Sequence, residues 1–333
     1  MEKILVIQTA FIGDVILSTA VGKKLATYHP ESKIDYVVRK GNEGLVENLP
    51  FVNHVWIWDK KNQKTKNLIR LIRAIRKEKY NLVINLQRFF SSGLMTAFSK
   101  GNYTVGYNKN PLSFAFNKSF EHVIGSGKHE VERNQKLITA FTDDKYEMPI
   151  LNLPKDLPDI VEPFINDAYI CIAPASVWYT KQFPKSKWVE FLLKLPTDLK
   201  IIVLGAPNDS IIAESLKEEC LNHSIVDLCG KVSLIESAAI MKKAVMNYVN
   251  DSAPLHLASA SNAPVRAIFC STVPEFGFGP LSTDSRIIQV SEDLECRPCG
   301  LHGKKDCPLG TFDCALRINT TEMAEELFTY LQK

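Results

Sequence analysis

The stretch from Val245 to Ala260 reads Val-Met-Asn-Tyr-Val-Asn-Asp-Ser-Ala-Pro-Leu-His-Leu-Ala-Ser-Ala, an apolar strand that stops at Asp251-Ser252 and becomes a helix carrying His256 one turn in. The chain then returns through Val265-Arg-Ala-Ile-Phe-Cys270, a second apolar strand. Strand, helix and parallel strand make a crossover unit, and ligands of such units bind beyond the strand carboxyl ends. Here that end is Asp251. A helix start presents backbone N–H groups and a partial positive charge, so a phosphate can sit there while Asp251 and Ser252 organise the turn. Pro254 fits the first turn, where a missing N–H costs nothing. The simpler reading is a capped helix with no ligand. The rest of the chain decides between them.

Outward from this unit, short apolar runs alternate with helix-period segments along the whole chain, the pattern of parallel α/β sheets. In the first half the strand candidates are Ile4–Gln8, Ile34–Val38, Val55–Trp58, Leu82–Leu86 and Thr104–Gly106. Around Pro149, Pro154, Pro158 and Pro163 the periodicity lapses, as in a linker. A second series follows at Tyr169–Ala173, Lys200–Leu204, Ile225–Leu228, Val245–Val249 and Arg266–Phe269. This predicts two Rossmann-like, doubly wound domains, 1–150 and 160–333, facing a central cleft. A last helix over 321–331, starting from a Thr321 cap, can pack on either half.

Bulk properties narrow the class. With 333 residues, 45% hydrophobic and 23% charged, the chain has enough apolar residues for two cores. A net charge of +3 gives no argument for nucleic acid. The basic residues are nevertheless uneven. Lys60 to Lys79 carries nine cations against one acid, Glu78, on an amphipathic helix with Leu68, Leu71, Ile72 and Ile75 inward. That is a solvated face or a surface for anionic lipid or glycolipid. No run approaches eighteen apolar residues, so no membrane span is predicted. Single cysteines in apolar surroundings, at 171, 220, 229 and 270, fit a reducing compartment.

Loops after strands are where the chemistry is expected. Gln8 to Asp14 joins the first strand to the first helix without a G-x-G-x-x-G or Walker pattern and offers Gly13-Asp14 at a helix start. Asp14 is either a helix-start acid or a general base. After Ala173 comes a loop containing Ser176 and ending Lys181-Gln-Phe-Pro184, in which Lys181 is the charged residue; it suits a diphosphate leaving group or is a solvent lysine. Asp209, after the next strand, is placed to take ribose hydroxyls or to cap a helix. One helix start, one lysine and one acid on adjacent strand ends together describe a nucleotide-diphosphate pocket.

These residues resemble a family. Gly13-Asp-Val-Ile-Leu-Ser-Thr19, Lys181-Gln-Phe-Pro184 with Trp188, and Asn250-Asp-Ser-Ala-Pro-Leu-His-Leu-Ala258 look like the lipopolysaccharide heptosyltransferases of glycosyltransferase family 9, as do Thr272–Glu275 with Gly279-Pro280 and the segment Cys296–Cys314. The resemblance implies the GT-B fold and inverting, metal-independent transfer of heptose from ADP-heptose to the inner core of lipopolysaccharide. It implies Asp14 as general base, with Gly13 beside it, and Lys181 and Ser176 near the donor phosphates. Asp209 matches the ribose-binding acid, commonly glutamate, and Asp251, Ser252, Ala253 and His256 match the phosphate-binding helix start. Ala253 stands where the family usually has glycine. The implied setting is the cytoplasm, at the inner face of the cytoplasmic membrane, with a nucleotide sugar and a glycolipid as partners and no required cofactor. The alternatives are a GT-B transferase for another sugar, a sugar-nucleotide epimerase, or a non-catalytic nucleotide-binding homologue.

Cys296-x-x-Cys299, Cys307 and Cys314 supply four soft ligands within nineteen residues. That set suits a structural zinc, although its second pair is widely spaced; reduced thiols or a redox pair are the alternatives. No Asp-x-Asp triplet occurs in the chain.

Overall fold

A computed structural model describes residues 1–164 and 167–332. The chain divides into two compact units, Met1–Asn152 and Leu153–Lys333. In the first, the elements are β1 (Lys3–Ile7), α1 (Ile12–Tyr28), β2 (Lys33–Arg39), β3 (Val52–Trp58), α2 (Lys64–Glu78), β4 (Leu82–Asn85), α3 (Phe90–Phe98), β5 (Tyr103–Tyr107), β6 (Lys118–Phe120) and α4 (Glu130–Lys136). Their sheet runs β3-β2-β1-β4-β5-β6, and every pair is parallel. Ile4 to Ile7 and Leu82 to Asn85 are continuous buried runs because helices cover both faces of such a sheet. Leu68, Leu71 and Ile75 of α2, spaced to share one helix face, pack on Leu5, Ile7, Val37 and Val83. Lys79, at φ 55°, ends that helix in the left-handed region.

The second unit comprises β7 (Tyr169–Ala173), α5 (Lys185–Leu192), β8 (Lys200–Val203), α6 (Ser210–Glu219), β9 (Ile225–Asp227), α7 (Leu234–Lys243), β10 (Met246–Asn250), α8 (Ala253–Ser261), β11 (Val265–Ile268), β12 (Ser285–Ile288), α9 (Asp313–Leu316) and α10 (Thr320–Leu331). Its sheet runs β12-β11-β10-β7-β8-β9, again all parallel. Renumbered from β7, this is the same 3-2-1-4-5-6 order as the first sheet, the order of the Rossmann fold. The strand order therefore reverses between β1 and β4 in one unit and between β7 and β10 in the other. Those two points are where a ligand is expected.

Three expectations need correction. Each sheet has a sixth strand, β6 and β12, and β3 begins at Val52. The missed strands are short, part-polar edges such as Lys118-Ser-Phe120, so no apolar run announces them. Helix α10 is capped by Asn319, whose side chain accepts from the Thr321 and Glu322 N–H groups, and not by Thr321. It packs on the second unit: Met323, Ala324 and Leu327 join the core around Trp188 and Phe191. The buried Arg266 fastens it further, with Nε 2.6 Å from Glu326 and Nη1 2.9 Å from Asp284.

Candidate functional site

At the reversal point of the second unit, the last residue of β10 organises the loop after β7. Asn250 Oδ1 accepts the Phe183 N–H (2.9 Å) and its Nδ2 donates to the Pro174 carbonyl (2.7 Å). This buried amide fixes the path of residues 174–183 without using a charge. Within the loop, Gln182 Nε2 donates to the Ser176 carbonyl at 2.7 Å, and Lys181 closes a short turn, Tyr179–Lys181. Lys181 Nζ lies 2.7 Å from Asp251 Oδ2, with side-chain exposures of 15% and 8%, so the pair is buried rather than a solvent bridge. The Thr272 hydroxyl donates to the same oxygen at 2.6 Å.

This places Asp251 differently from the sequence expectation. Its carboxylate does not organise the start of α8; it fixes Lys181. Ser252 is the N-cap residue in extended conformation, yet its side chain makes no capping bond to the helix, and its hydroxyl instead reaches back to the Asn250 carbonyl at 3.4 Å. Ser252 therefore does not cap the first turn of α8, which begins with Ala253 and Pro254. His256 is buried one turn in, edge-on to Phe278. Asp209 ends a short turn, Pro207–Asp209, after β8, and its Oδ2 accepts the Ala206 N–H at 2.7 Å. It caps its own turn, as the simpler reading held. Because β8, β7, β10 and β11 are adjacent, Asp209, Ser176, Lys181, Asp251 to His256 and Thr272 all lie along the carboxyl-end edge of one sheet.

The cysteine segment lies against this edge. Thr180 N–H donates to the Lys304 carbonyl (3.1 Å), Lys304 N–H donates to Thr180 Oγ1 (2.7 Å), and Cys299 N–H donates to the Ser271 carbonyl (2.9 Å). Gly303, at φ +75°, is so close that a Cβ built on it would stand 2.9 Å from Lys181 Cγ. Cys296, Cys299, Cys307 and Cys314 line one cavity of about 370 Å³. Among the described residues no group of three or more His, Cys, Asp or Glu side chains is gathered to hold a metal ion.

In the first unit, Gly13 and Asp14 lie in the first turn of α1, beyond β1 at the other reversal point. Asp14 Oδ2 accepts the Phe11 N–H at 3.2 Å. Burial, and secondarily the charge of Glu130, pushes its carboxyl up to about 6, against backbone hydrogen bonds and the positive charge of Arg39. A carboxylate tuned there is ionised at neutral pH and a better proton acceptor than an ordinary one. Glu130 stays ionised despite burial because His122 (3.0 Å) and Arg133 (2.8 Å) bond to it.

Sequence reasoning missed Asn250, Thr272, Thr180 and Glu130. Asn250 had a visible signal, a polar residue closing an apolar strand; the other three act through contacts distant in sequence.

The architecture is GT-B, the fold of solved heptosyltransferases. It is shared with the Escherichia coli ADP-heptose lipopolysaccharide heptosyltransferase II (TM-score 0.79, 19% identity, 99% of this chain and 98% of that one). A glycosyltransferase family 9 structure from Veillonella parvula matches similarly (TM-score 0.82, 20% identity, 99% and 97%). In sequence, lipopolysaccharide heptosyltransferase 3 of Escherichia coli is 24% identical over 277 residues, 79% of this chain and 82% of that protein. The model of glycosyltransferase family 9 (heptosyltransferase) matches residues 68–309. The chain belongs to that family and is a glycosyltransferase.

Proposed function

We propose that the protein transfers heptose from ADP-heptose, with inversion, to a sugar of the lipopolysaccharide inner core. The observation that carries this reading is the largely buried lysine at the reversal point of the second sheet, beside a helix start that its N-cap Ser252 does not cap. Lys181 and the N–H groups of the α8 first turn stabilise the leaving diphosphate. Ser176 and His256 flank that anion, and Asp209 takes the ribose. Asp14 accepts the proton of the attacking hydroxyl, which approaches the anomeric carbon from the face opposite the diphosphate. The names of the relatives, which carry lipopolysaccharide and ADP-heptose, support the choice of sugar and nucleotide.

The acceptor is a glycolipid at the inner face of the cytoplasmic membrane. No described helix is long and apolar enough to cross a membrane, and α2 presents Lys64, Lys66, Arg70, Arg73, Arg76 and Lys77 as an exposed basic face suited to anionic lipid. No metal acts in the transfer. The four thiols line one cavity, but among the described residues no three of them are gathered to hold a metal ion, so the structure does not support a structural zinc there; bound metal measured on protein purified without chelator checks this. Incubation with ADP-heptose and core acceptor in EDTA tests the rest: product with the opposite anomeric configuration is expected. Retention of configuration, or a strict Mg²⁺ requirement, would overturn it.

A further inference from the structure

We propose that Arg297 is a positioning residue for the transfer: it holds the chain that leaves β11 so that Ser271 and Thr272 set the place of Lys181. The consequence for catalysis rests on the transferase reading; the placement itself rests on contacts within the second unit.

Beyond Ile268, the last residue of β11, the chain stays buried although it has left the strand: Phe269 to Thr272 are at most 1% exposed. Buried backbone there needs partners for its carbonyls. One segment supplies them all. Arg297 Nη2 donates to the carbonyls of Phe269 (3.2 Å) and Thr272 (2.8 Å), its Nε donates to that of Cys270 (2.7 Å), and the Cys299 N–H donates to that of Ser271 (2.9 Å). Arg297 Nη2 also donates to Gln289 Oε1 at 2.8 Å, just past β12. These acceptors are neutral, so the guanidinium is used as a bracket for backbone and not as half of a salt bridge. A guanidinium spreads its donors over a fixed fork, whereas a lysine head is a single point and a glutamine amide has fewer donors.

The side chains of the held residues lead to the lysine. Ser271 Oγ donates to Thr180 Oγ1 at 2.9 Å and the Ser271 N–H to the Thr180 carbonyl at 3.3 Å, which fixes the residue before Lys181. Thr272 Oγ1 donates to Asp251 Oδ2 at 2.6 Å, the oxygen that lies 2.7 Å from Lys181 Nζ. Lys181 is thus set twice, through its neighbour in the chain and through its carboxylate. Both routes start from the stretch that Arg297 grips, so releasing that stretch loosens both at once. A lysine has many rotamers and leaving-group stabilisation needs one; a misplacement of about 1 Å costs on the order of a hundredfold in rate. Arg297 stands inside the Cys296–Cys299 motif, which thereby gains a role independent of its thiols.

The test compares full-length Arg297→Gln and Thr272→Val with wild type in transfer kinetics and calorimetric ADP affinity. Thr272→Val leaves the carbonyl contacts of Arg297 in place and cuts the route through Asp251, so it gives the answer even if Arg297→Gln does not fold. Each should lower kcat about tenfold or more while changing ADP affinity by less than about threefold, and Thr272→Ser should recover most of the valine loss. In a Lys181→Gln background the same two substitutions should lower kcat by no more than about twofold further, because the side chain they place is gone. A readout without turnover uses the chain labelled with ¹³C at the lysine ε-carbon. The two ε-protons of Lys181, assigned by their loss in Lys181→Gln, should be resolved in wild type, as in a fixed side chain, and merge in both variants. Wild-type kcat in Thr272→Val, a full multiplicative loss in the Lys181→Gln background, or ε-protons that are merged in wild type or unchanged in the variants would overturn the proposal. If the ε-protons respond as expected and no nucleotide sugar is turned over, the transferase reading fails and the positioning role stands.

Discussion

Replacing Asp14 with Asn should make the protein more stable and far less active, and the stability gain should depend on pH. The carboxyl titrates at about 6 in the folded chain against 3.8 for a free side chain. Between those values the folded state holds a proton that the unfolded state has lost, so wild-type stability falls as pH rises through that window. Above 6 the cost is complete, about 3 kcal/mol from the shift of roughly two units. Asp14 is partly exposed, so water recovers some of it, and the charge also gains about 0.3–1 kcal/mol from the α1 N-terminus. A net gain of about 1–2 kcal/mol at pH 8 remains for Asn, which keeps the acceptor oxygen for Phe11. For a unit of this size that is about 2–8 °C in melting temperature. By pH 4 the two proteins should melt together. Thermal unfolding from pH 4 to 8, paired with transfer rates, measures both effects. A destabilised variant, a gain independent of pH, or turnover within tenfold of wild type would refute the assignment of Asp14 as a desolvated base.

Other perturbations follow from the same contacts. Lys181→Ala leaves Asp251 buried with Thr272 as its remaining partner, so it should cost about 3 kcal/mol of stability as well as ADP affinity. Adding Asp251→Asn should restore the stability; if calorimetry shows that ADP affinity returns too, Lys181 does not contact phosphate. Glu130→Gln removes a charge that raises the Asp14 carboxyl, so the acid limb of the kcat/KM profile should move to lower pH; a limb unmoved or displaced upward would contradict the coupling. Gly303→Ala should lose about 1–2 kcal/mol and weaken ADP binding through Lys181. Gly300→Ala, also at positive φ but with open space around it, should show the strain alone, and equal ADP affinities in the two variants would separate the cysteine segment from the donor loop.

The parallel layers were legible because continuous apolar runs such as Ile4–Ile7 and Ile201–Val203 have no other use than strands buried on both faces. Edge strands were not, because Lys118-Ser-Phe120 has one side to cover and no run to display. Among the candidate site residues, the sequence placed Asp14, Lys181 and Asp251 at strand ends, and the structure puts them there. The sequence did not reveal their partners. That Asp251 neutralises Lys181 is a contact across seventy residues, set by the pairing of β7 with β10. The environment of Asp14 likewise depends on Glu130, delivered by α4 from far along the chain.

The Lys181–Asp251 pair changes what the lysine contributes. A lone long side chain would sample several rotamers; the Asp251 carboxylate, itself held by the Thr272 hydroxyl, keeps the ammonium in one place. Under the proposed transfer, an arriving diphosphate would meet a lysine already oriented, leaving less ordering for the moment when negative charge grows on the leaving group. Asp251 would oppose that charge in part, and the first turn of α8, not capped by Ser252, would supply the compensation. In this reading the aspartate acts as a positioning residue. Asp251→Asn, with Asn still able to hydrogen-bond Lys181, should bind ADP at least as tightly as wild type while lowering turnover through a looser lysine. Weaker ADP binding would instead place Asp251 on the nucleotide.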